Sequence, residues 1–449
     1  MTNRRSSAEL REEISASSSE ARRFISALFD EGTFLETGTY IRHDTESDFE
    51  GVITGCGAVD GRLVFTFVQD MSCGRAALTY AHAAKISALY DKAIKAKAPV
   101  VGVYTSAGAK LSGGIDALSG LGEVMSKMVS AKKEIPQISV ISGACGGGMA
   151  ALSSLADFTV ADTENGSRYI LPNTDDEKKF RYDIAAKGTE ELASKTKELL
   201  NFLPSSSADG TVYALSRDDI NDPSCAVEDI LSTDRDVKEL IAEISDDGKM
   251  LEIGGGFAKE AVCGFAMING RAVGLVADQP IVNGGALTSK AAKKIAGFVD
   301  FLGRFNIPVL TLVNTVGFGG NNCGCYTDNL AALASSYSNC RSAKVTVVVG
   351  KAYGSAFTFM GSKRLGADMV FALDCAEISV MTPETAVEFV WDDKLKNSPD
   401  PASARDELKK EWIENVASPL AAARHGDIDD IVSYSELKQR IAAAFEVFC

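Results

Sequence analysis

The sequence predicts an α/β protein made of two tandem copies of one domain. Runs of β-branched residues repeatedly end in small-residue loops and continue into helical patterns, which is typical of a largely parallel sheet. Four segments of the first half recur in the second half in the same order, at offsets of 216, 209, 209 and 207 residues. A length of 449 residues is enough for two full hydrophobic cores. We therefore predict one domain over residues 1–222 and a second over residues 223–449.

The repeated segments are turns and loops at the ends of strand patterns. Four matches in register at nearly constant spacing are not expected by chance, so we interpret them as a duplication. The matched segments are residues 30–36 with 246–252, 59–62 with 268–271, 98–101 with 307–310, and 143–149 with 350–356.

The first copy alternates helix and strand patterns. Apolar residues at helical spacing predict a helix pair over residues 6–34 and longer helices over 76–97 and 118–130. Short strand patterns lie between these helices, the early ones joined by a Val-Asp-Gly turn. The predicted strands cover residues 52–55, 58–62, 63–68, 100–104 and 138–142. Residues 165–222 are polar and poorly periodic, with a linker-like break at 204–210.

The second copy repeats this alternation and adds a helical extension. Strand patterns cover residues 271–276, 309–313 and 345–350. The remainder, over about 385–448, is charged and helical, with a helix, a turn and a short strand predicted within 415–431.

The most informative stretch is residues 138–151, where a strand meets three consecutive glycines and becomes a helix pattern of about three turns. Such a glycine turn leaves backbone N–H groups bare and pointing in one direction. The stretch has no convincing acid, base or nucleophile, so its chemistry would be stabilisation of a developing oxyanion by peptide dipoles. The alternative is that the glycines only allow the helix and the strand to pack closely.

Two further loops favour the oxyanion interpretation. Residues 106–109 form a small-residue loop after the neighbouring strand, so the two loops could each give one N–H to a carbonyl oxygen. Residues 350–356 repeat the glycine stretch in the second copy. Two such pockets indicate two carbonyl groups, each needing its enolate stabilised.

Composition and charge exclude several classes of function. The chain is 45% apolar and 24% charged, as in soluble globular proteins, and no apolar run approaches the length of a membrane span. A net charge of −15 argues against nucleic acid or an anionic membrane as a partner. The first residues carry no apolar leader segment, so we expect a cytoplasmic protein. Ten cysteines without zinc spacing, Cys323-Gly-Cys325 being the nearest pair, predict a reduced chain with no metal.

Conventional acid–base or nucleophilic catalysis is not indicated. The three histidines, His43, His82 and His425, lie in a charged segment, within a helix and at a helix end, where histidine is usually structural or solvated. Ser142 ends a strand with no base beside it. The serine-hydrolase, zinc-protease, P-loop and dinucleotide motifs are absent from the sequence.

At this point the sequence resembles a known family. Residues 141–152 resemble the oxyanion-hole motif of the crotonase superfamily. The larger pattern resembles the β-type carboxyltransferase subunit of biotin-dependent acyl-CoA carboxylases and decarboxylases. The segments that carry this resemblance run in family order across nearly the whole chain: residues 28–34, 106–110, 135–139, 277–280, 305–310, 351–354 and 426–430.

The resemblance implies an α/β fold of two tandem crotonase-like (ββα spiral) domains. One domain would hold an acyl-CoA thioester and the other carboxybiotin, facing each other across a subunit interface. Gly147 and Gly148 would donate backbone N–H groups to the thioester enolate, and Ser355 and Ala356 would donate to the ureido oxygen of biotin. The implied substrate-binding residues are Ser106, Ala107, Gly108, Ala109, Gly146, Gly317, Phe318, Tyr353 and Gly354.

The resemblance also implies cofactors and partners. The chain lacks a Met-Lys-Met biotinylation site, so biotin would be carried on a separate protein. Expected partners are a biotin carboxyl carrier protein and the biotin carboxylase or decarboxylase subunits. The chain itself would form a dimer-based homo-oligomer such as a hexamer, and no metal would be required.

The sequence departs from the family pattern at both loops. Ala107 and Lys110 replace glycine and arginine, Ser355 replaces glycine, and the segment after Asp162 is shortened. These departures leave one alternative open, a non-catalytic scaffold subunit. A biotin-independent crotonase-type enzyme is a further alternative, against which the duplicated pocket argues. The acyl group and the direction of carboxyl transfer are left open.

Overall fold

The computed structural model describes residues 6, 19–42, 49–171, 180–216, 219–220, 235–320 and 323–449. Backbone contacts divide the chain into two compact units, Met1–Asp209 and Gly210–Cys449. This division precedes the predicted boundary at residue 222, because the chain after Gly210 pairs with a strand of the second unit. The N–H of Ala272 donates to the carbonyl of Val212 at 2.9 Å, and the N–H of Ala214 donates to that of Gly270 at 2.7 Å.

The first unit contains one eight-stranded sheet and five α-helices within its described residues. The strands are β1 (Leu35–Thr37), β2 (Val52–Val59), β3 (Arg62–Gln69), β4 (Val100–Ser106), β5 (Gln137–Gly146), β6 (Phe158–Asp162), β7 (Ser167–Tyr169) and β8 (Ile184–Ala186). The helices are α1 (Glu20–Leu28), α2 (Tyr80–Ala96), α3 (Ile115–Ala131), α4 (Gly147–Ser153) and α5 (Gly188–Leu200).

The second unit contains a matching sheet and a helical extension, most of which precedes the last strand in the chain. Its strands are β9 (Met250–Ile253), β10 (Ala261–Ile268), β11 (Arg271–Asp278), β12 (Val309–Thr315), β13 (Lys344–Tyr353), β14 (Met369–Leu373), β15 (Glu377–Ser379) and β16 (Asp430–Val432). Its helices are α6 (Val237–Ile244), α7 (Ser289–Arg304), α8 (Tyr326–Asn339), α9 (Ser355–Phe359), α10 (Pro383–Phe389), α11 (Asp392–Lys396), α12 (Pro401–Trp412), α13 (Pro419–Arg424) and α14 (Leu437–Phe448). A π-helix at Ile413–Ala417 follows α12.

The two sheets have the same topology. The first runs β1-β2-β3-β4-β5-β6-β8 with β7 also paired to β5, and the second runs β9-β10-β11-β12-β13-β14-β16 with β15 also paired to β13. In each sheet the first three strands are antiparallel and the rest are parallel. The carboxyl ends of the parallel strands therefore meet at one edge. This arrangement confirms the predicted α/β fold.

The repeat at Asp30 and Asp246 has a structural cause. The Asp30 carboxylate accepts the N–H groups of Asp60 and Gly61 at 3.1 and 2.9 Å, which fixes the turn between β2 and β3. The Asp246 carboxylate accepts those of Asn269 and Gly270 at 3.0 and 2.7 Å in the matching turn. Asp60, Gly61, Asn269 and Gly270 all have positive φ, as a two-residue hairpin turn requires. Each copy thus fixes its hairpin with the same carboxylate.

The cores lie between the sheets and their helices. In the first unit the rings of Tyr90 and Tyr104 both pack against Phe67, with Phe67 and Tyr104 edge to face at 5.3 Å. A Cβ at Gly102 would lie 2.3 Å from the Phe67 ring, so β4 needs glycine there. These buried aromatic rings belong to the hydrophobic core of the first unit.

Several predicted elements differ from the structure. Helix α4 has seven residues, because the hydroxyls of Ser153 and Ser154 both donate to the carbonyl of Ala150 and compete with continued helix. Helix α5 lies in the region that the sequence left without regular structure. Of the predicted helix pair before residue 34, α1 is described, and most of the preceding residues lie outside the described part of the chain.

Candidate active site

The loops after β4 and β12 are held by identical hydrogen bonds. Ser106 Oγ accepts the N–H of Gly108 at 3.1 Å, and Thr315 Oγ1 accepts that of Gly317 at 3.2 Å. Next to each loop, Leu78 and Leu287 donate to the carbonyls of Gly108 and Gly317 at 2.8 and 2.9 Å. The predicted site residue Ser106 is buried and shapes the loop, since its hydroxyl also donates to the carbonyl of Ala76.

One N–H group in each loop has no acceptor among the residues that the structure describes. The N–H groups of Ala107 and Val316 donate to the carbonyls of Arg75 and Gly284, and those of Lys110 and Gly319 donate to the leucine carbonyls of Leu78 and Leu287. Among the described residues, no acceptor bonds to the N–H of Ala109 or of Phe318. These two N–H groups occupy equivalent positions, 209 residues apart.

A second N–H donor to accompany each loop N–H group would come from the turn into α4 or α9. Gly147 and Gly354 begin these turns with φ of +57° and +66°, a backbone region that favours glycine. The strand register makes them equivalent, because Gly146 pairs with Tyr169 of β7 as Tyr353 pairs with Ser379 of β15. Gly148 and Ser355 follow in equivalent positions. N–H groups in the first turn of a helix have no intrahelical acceptor.

The structure distinguishes among the four predicted donors. The N–H of Gly354, the equivalent of Gly147, donates to the carbonyl of Ser379 at 2.8 Å. Gly148 and Ser355 are both exposed at their loops, whereas Ala356 is buried. Gly148 and Ser355 are therefore the matched pair of exposed residues, in turns that follow the strands next to those of the Ala109 and Phe318 loops.

The loops of each pair approach closely through glycine. A Cβ at Gly108 would lie 4.0 Å from the carbonyl oxygen of Gly146, and one at Gly317 would lie 3.6 Å from that of Tyr353. A Cβ at Gly146 would lie 2.8 Å from the Tyr169 ring. The predicted residues Gly108 and Gly317 thus lie next to the backbone of the neighbouring loop, and Gly146 lies against the Tyr169 ring. Tyr353 is buried, and its hydroxyl donates to the Glu377 carboxylate.

Sequence reasoning missed two equivalent buried residues, one in each unit, that hold the strand ends leading into the loops. Gln69 Oε1 accepts the N–H of Thr105 at 3.1 Å, and Asp278 Oδ2 accepts that of Asn314 at 3.1 Å, so a side chain at the end of β3 and of β11 fixes the next strand end. Asn314 Oδ1 in turn accepts the N–H of Lys351 at 3.0 Å. The offset of 209 residues between Gln69 and Asp278 was the available signal.

Asp278 makes the second unit sensitive to pH. Burial raises the pKa of Asp278 to about 8, so the folded protein holds a proton there that the unfolded chain releases near pH 4. Because the folded state then binds more protons, this group favours folding below about pH 4 and loses that contribution as pH rises to about 8. We expect Asp278→Asn to remove this fall in stability between pH 6 and 8.5.

The measurement is the urea midpoint of unfolding of wild type and variant at both pH values. The substitution follows the amide already present at Gln69 in the first unit. Equal pH dependence in the two proteins would contradict the assignment of a protonated carboxyl to Asp278.

A chain of hydrogen bonds links the helical extension to the turn at Gly354, between β13 and α9. Trp412 Nε1 donates to Ser379 Oγ at 3.2 Å, and the Ser379 carbonyl accepts the N–H of Gly354. The ring of Trp412 packs edge to face on Trp391 at 5.0 Å. Both tryptophans of the chain therefore lie in one cluster connected to the Gly354 turn. No sequence pattern indicated this connection.

Gly354→Ala is expected to lower stability by about 1–3 kcal/mol, because φ +66° with ψ −166° is essentially restricted to glycine. The midpoint of thermal unfolding measures this effect. Gly297→Ala within α7 is the control: its Cβ would meet nothing within 4 Å, and alanine in a helix interior stabilises by about 0.5–1 kcal/mol. A Gly354→Ala variant as stable as wild type would show that the turn does not need this conformation.

Among the described residues, the side chains near the loops after β4 and β5 do not form a site for acid–base or nucleophilic catalysis. His82 is fully buried, and desolvation together with Lys85 lowers its pKa to about 3, so it is neutral. Burial raises the pKa of Cys145 to about 12, so its thiol is not activated. Ser142 Oγ donates to the Tyr104 carbonyl at 3.4 Å. His425 caps α13, and His43 lies outside the described residues.

A cavity of about 630 Å³ in the first unit is separate from the predicted site residues. It lies at the ends of β3, β4 and β5 and against α1 and α5, and none of the predicted site residues lines it. Its charged lining consists of four carboxylates and one guanidinium: Glu20, Asp70, Asp162, Glu190 and Arg23. A phosphate-bearing ligand would be repelled there.

The described part of the chain has neither a membrane-spanning helix nor a cluster of metal-binding side chains. Its helices include none that combines the length and the apolar character needed to cross a bilayer. Its His, Cys, Asp and Glu side chains include no group of three or more arranged to hold a metal ion.

The sequence is similar to those of known proteins along nearly its whole length. The carboxyl transferase domain family matches residues 13–172 and 181–448. The carboxyltransferase subunit of propionyl-CoA carboxylase from Haloferax mediterranei is 34% identical over 458 residues, covering 94% of this chain and 89% of that protein. The α subunit of methylmalonyl-CoA decarboxylase from Propionigenium modestum is 32% identical over 462 residues, covering 95% and 89%.

A solved structure shows the same fold. The crystal structure of transcarboxylase 12S, a hexamer assembly with methylmalonyl-coenzyme A and methylmalonic acid bound, superposes with a TM-score of 0.90 at 30% identity. The match covers 98% of this chain and 90% of that chain. The predictions of tandem crotonase-like domains and of carboxyltransferase function are confirmed. The chain belongs to the carboxyl transferase domain family.

Proposed function

We propose that the protein moves a carboxyl group between carboxybiotin on a separate carrier protein and the α-carbon of a short acyl-CoA. The observation that carries the proposal is the duplicated pair of strand-end loops. Within the described residues, each pair has one loop N–H without an acceptor, at Ala109 or Phe318, and one first-turn N–H, at Gly148 or Ser355, in loops that follow neighbouring strands. Two such donor pairs suit two carbonyl oxygens that become negative during reaction.

In the first unit, Ala109 and Gly148 would bind the thioester oxygen of acyl-CoA. Their N–H groups stabilise the enolate oxygen, so a carbanion at the α-carbon can form or be carboxylated. Gly147 sets the direction of the Gly148 N–H through its positive φ. Gly108 keeps the two loops in contact, and Ala107 is held by Arg75.

In the second unit, Phe318 and Ser355 would bind the ureido oxygen of biotin. The residues present fit this group, since neither N–H has an acceptor in the described part of the chain and the Phe318 ring is half exposed for contact with an apolar bicyclic ring. Bound carboxybiotin supplies the carboxyl group and the proton acceptor. Ala356, buried behind Ser355, and Gly317 and Tyr353 fix the two loops.

The proposed function also includes partners, an oligomeric state, an acyl pair and a location. Biotin is carried on a partner carrier protein that a biotin carboxylase or decarboxylase subunit serves, and no metal takes part. The 12S relative supports a homo-oligomer of hexameric type. The named relatives support propionyl-CoA and methylmalonyl-CoA as the acyl pair. We place the protein in the cytoplasm.

The test is decarboxylation of methylmalonyl-CoA by the purified protein in the presence of free biotin, with malonyl-CoA as the comparison substrate. We expect biotin-dependent turnover and, by calorimetry, binding of the acyl-CoA. Absence of both turnover and binding with every short acyl-CoA would overturn the proposal.

A non-catalytic scaffold subunit is the second candidate. The observation that favours it is the exposed Ser355 side chain, which projects where the equivalent Gly148 has none. This candidate predicts acyl-CoA binding without turnover in the same experiment, so the two proposals have different outcomes.

A further inference from the structure

Two cysteines flank Gly324 immediately before α8. Their sulfur atoms lie 2.9 Å apart, and both residues are exposed. This separation is shorter than van der Waals contact between sulfurs, so the thiols face each other directly. The proposed carboxyl transfer uses neither of them.

The surroundings of the pair favour a thiolate at Cys323. Hydrogen bonding with Cys325 and with Ser289 lowers the pKa of Cys323. Ser289 Oγ lies 3.4 Å from Cys323 Sγ and 3.7 Å from Cys325 Sγ, and Asn329 Nδ2 donates to that hydroxyl at 2.9 Å. Cys325 occupies the N-cap position of α8, and its side chain makes no capping hydrogen bond there. A thiolate next to a resolving thiol is the arrangement of oxidation-sensitive cysteines.

The pair lies beside the loop that carries Phe318. Tyr326, the residue after Cys325, has its hydroxyl 3.1 Å from the carbonyl oxygen of Gly319 and also bonded to that of Leu287. The rings of Tyr326 and Phe318 pack edge to face at 6.2 Å. A covalent change at the cysteines would therefore occur one residue from a side chain that holds this loop.

We propose that Cys323 and Cys325 form a reversible dithiol–disulfide site that peroxides oxidise. The Cys323 thiolate attacks one peroxide oxygen, giving a sulfenic acid and, after protonation, one water. The Cys325 sulfur then attacks the sulfenic sulfur, forming the S–S bond and releasing a second water. The two sulfurs together lose two electrons and the peroxide gains them. A dithiol reductant reverses the step by thiol–disulfide exchange.

The experiment treats the reduced full-length protein with hydrogen peroxide, blocks remaining thiols with iodoacetamide and maps the peptides by mass. Chymotrypsin cuts after Tyr326 and separates the pair from Cys340. We expect the peptide with Cys323 and Cys325 to be lighter by two hydrogen atoms and to carry no alkyl group. If the oxidised protein is reduced with dithiothreitol before it is alkylated, the peptide should carry two alkyl groups.

Variants make the outcome decisive. Cys323→Ser and Cys325→Ser each leave a single thiol, which should over-oxidise or remain alkylatable, whereas Cys449→Ser keeps the pair and should behave as wild type. Phenylarsine oxide, which bridges two neighbouring thiols, should block alkylation of both cysteines in wild type and in neither single variant. Separate sulfinic or sulfonic acids on both cysteines of wild type, with no linked peptide, would overturn the proposal.

Discussion

Gly148→Pro is expected to lower kcat/KM for the acyl-CoA half-reaction by about 10²–10³-fold, the usual effect of removing one oxyanion-hole donor. Proline has no N–H, and Gly148 is the second residue of α4, where no intrahelical hydrogen bond depends on that group. The loss should therefore fall on catalysis and leave the fold intact. The measurement is methylmalonyl-CoA decarboxylation with free biotin, alongside circular dichroism.

Gly148→Ala is the matched control because it keeps the N–H. Its Cβ would lie 2.4 Å from Leu121 Cδ2, the end of a flexible side chain that can move. We expect a loss of less than about tenfold, and Leu121→Ala in the same chain should recover it. Equal losses in the alanine and proline variants would assign the effect to crowding and would contradict a donor role for Gly148.

The fold could be predicted from sequence largely because the chain is duplicated. Asp30 and Asp246 belong to segments that recur at nearly constant spacing. Each carboxylate binds N–H groups of a hairpin turn, and such turns have recognisable residue types. Strands β7 and β15 could not be predicted. Three residues are too few for a period-two pattern, and their pairing is decided by tertiary contact with β5 and β13.

The candidate site was predictable as a set of loops but not in its hydrogen bonds. The glycines of residues 146–148 indicated bare N–H groups from composition alone. Which N–H remains free depends on partners distant in sequence, as when Ser379 takes that of Gly354. The roles of Gln69 and Asp278 were hidden for the same reason, since a buried amide and a buried acid perform one function in the two copies.

Ser355→Pro should remove the equivalent donor in the second unit and lower biotin-dependent turnover by about 10²–10³-fold. Ser355 is the first residue of α9, a position where proline is well tolerated because its N–H has no helical acceptor. Acyl-CoA binding should be unchanged by calorimetry, because the proposed thioester donors lie in the first unit. The two proline variants therefore test the two halves of the reaction separately.

Ser355→Gly is the matched control and also tests the departure from the family pattern. Glycine keeps the N–H and removes the exposed hydroxymethyl group, so turnover should equal or exceed that of wild type, with a lower half-saturating concentration of free biotin. The proline variant, by contrast, loses the N–H while keeping a side chain at that position. Full activity in Ser355→Pro, or loss of activity in Ser355→Gly, would show that this N–H does not bind the ureido oxygen. Decarboxylation rates measured at varied biotin concentration and saturating methylmalonyl-CoA distinguish these outcomes.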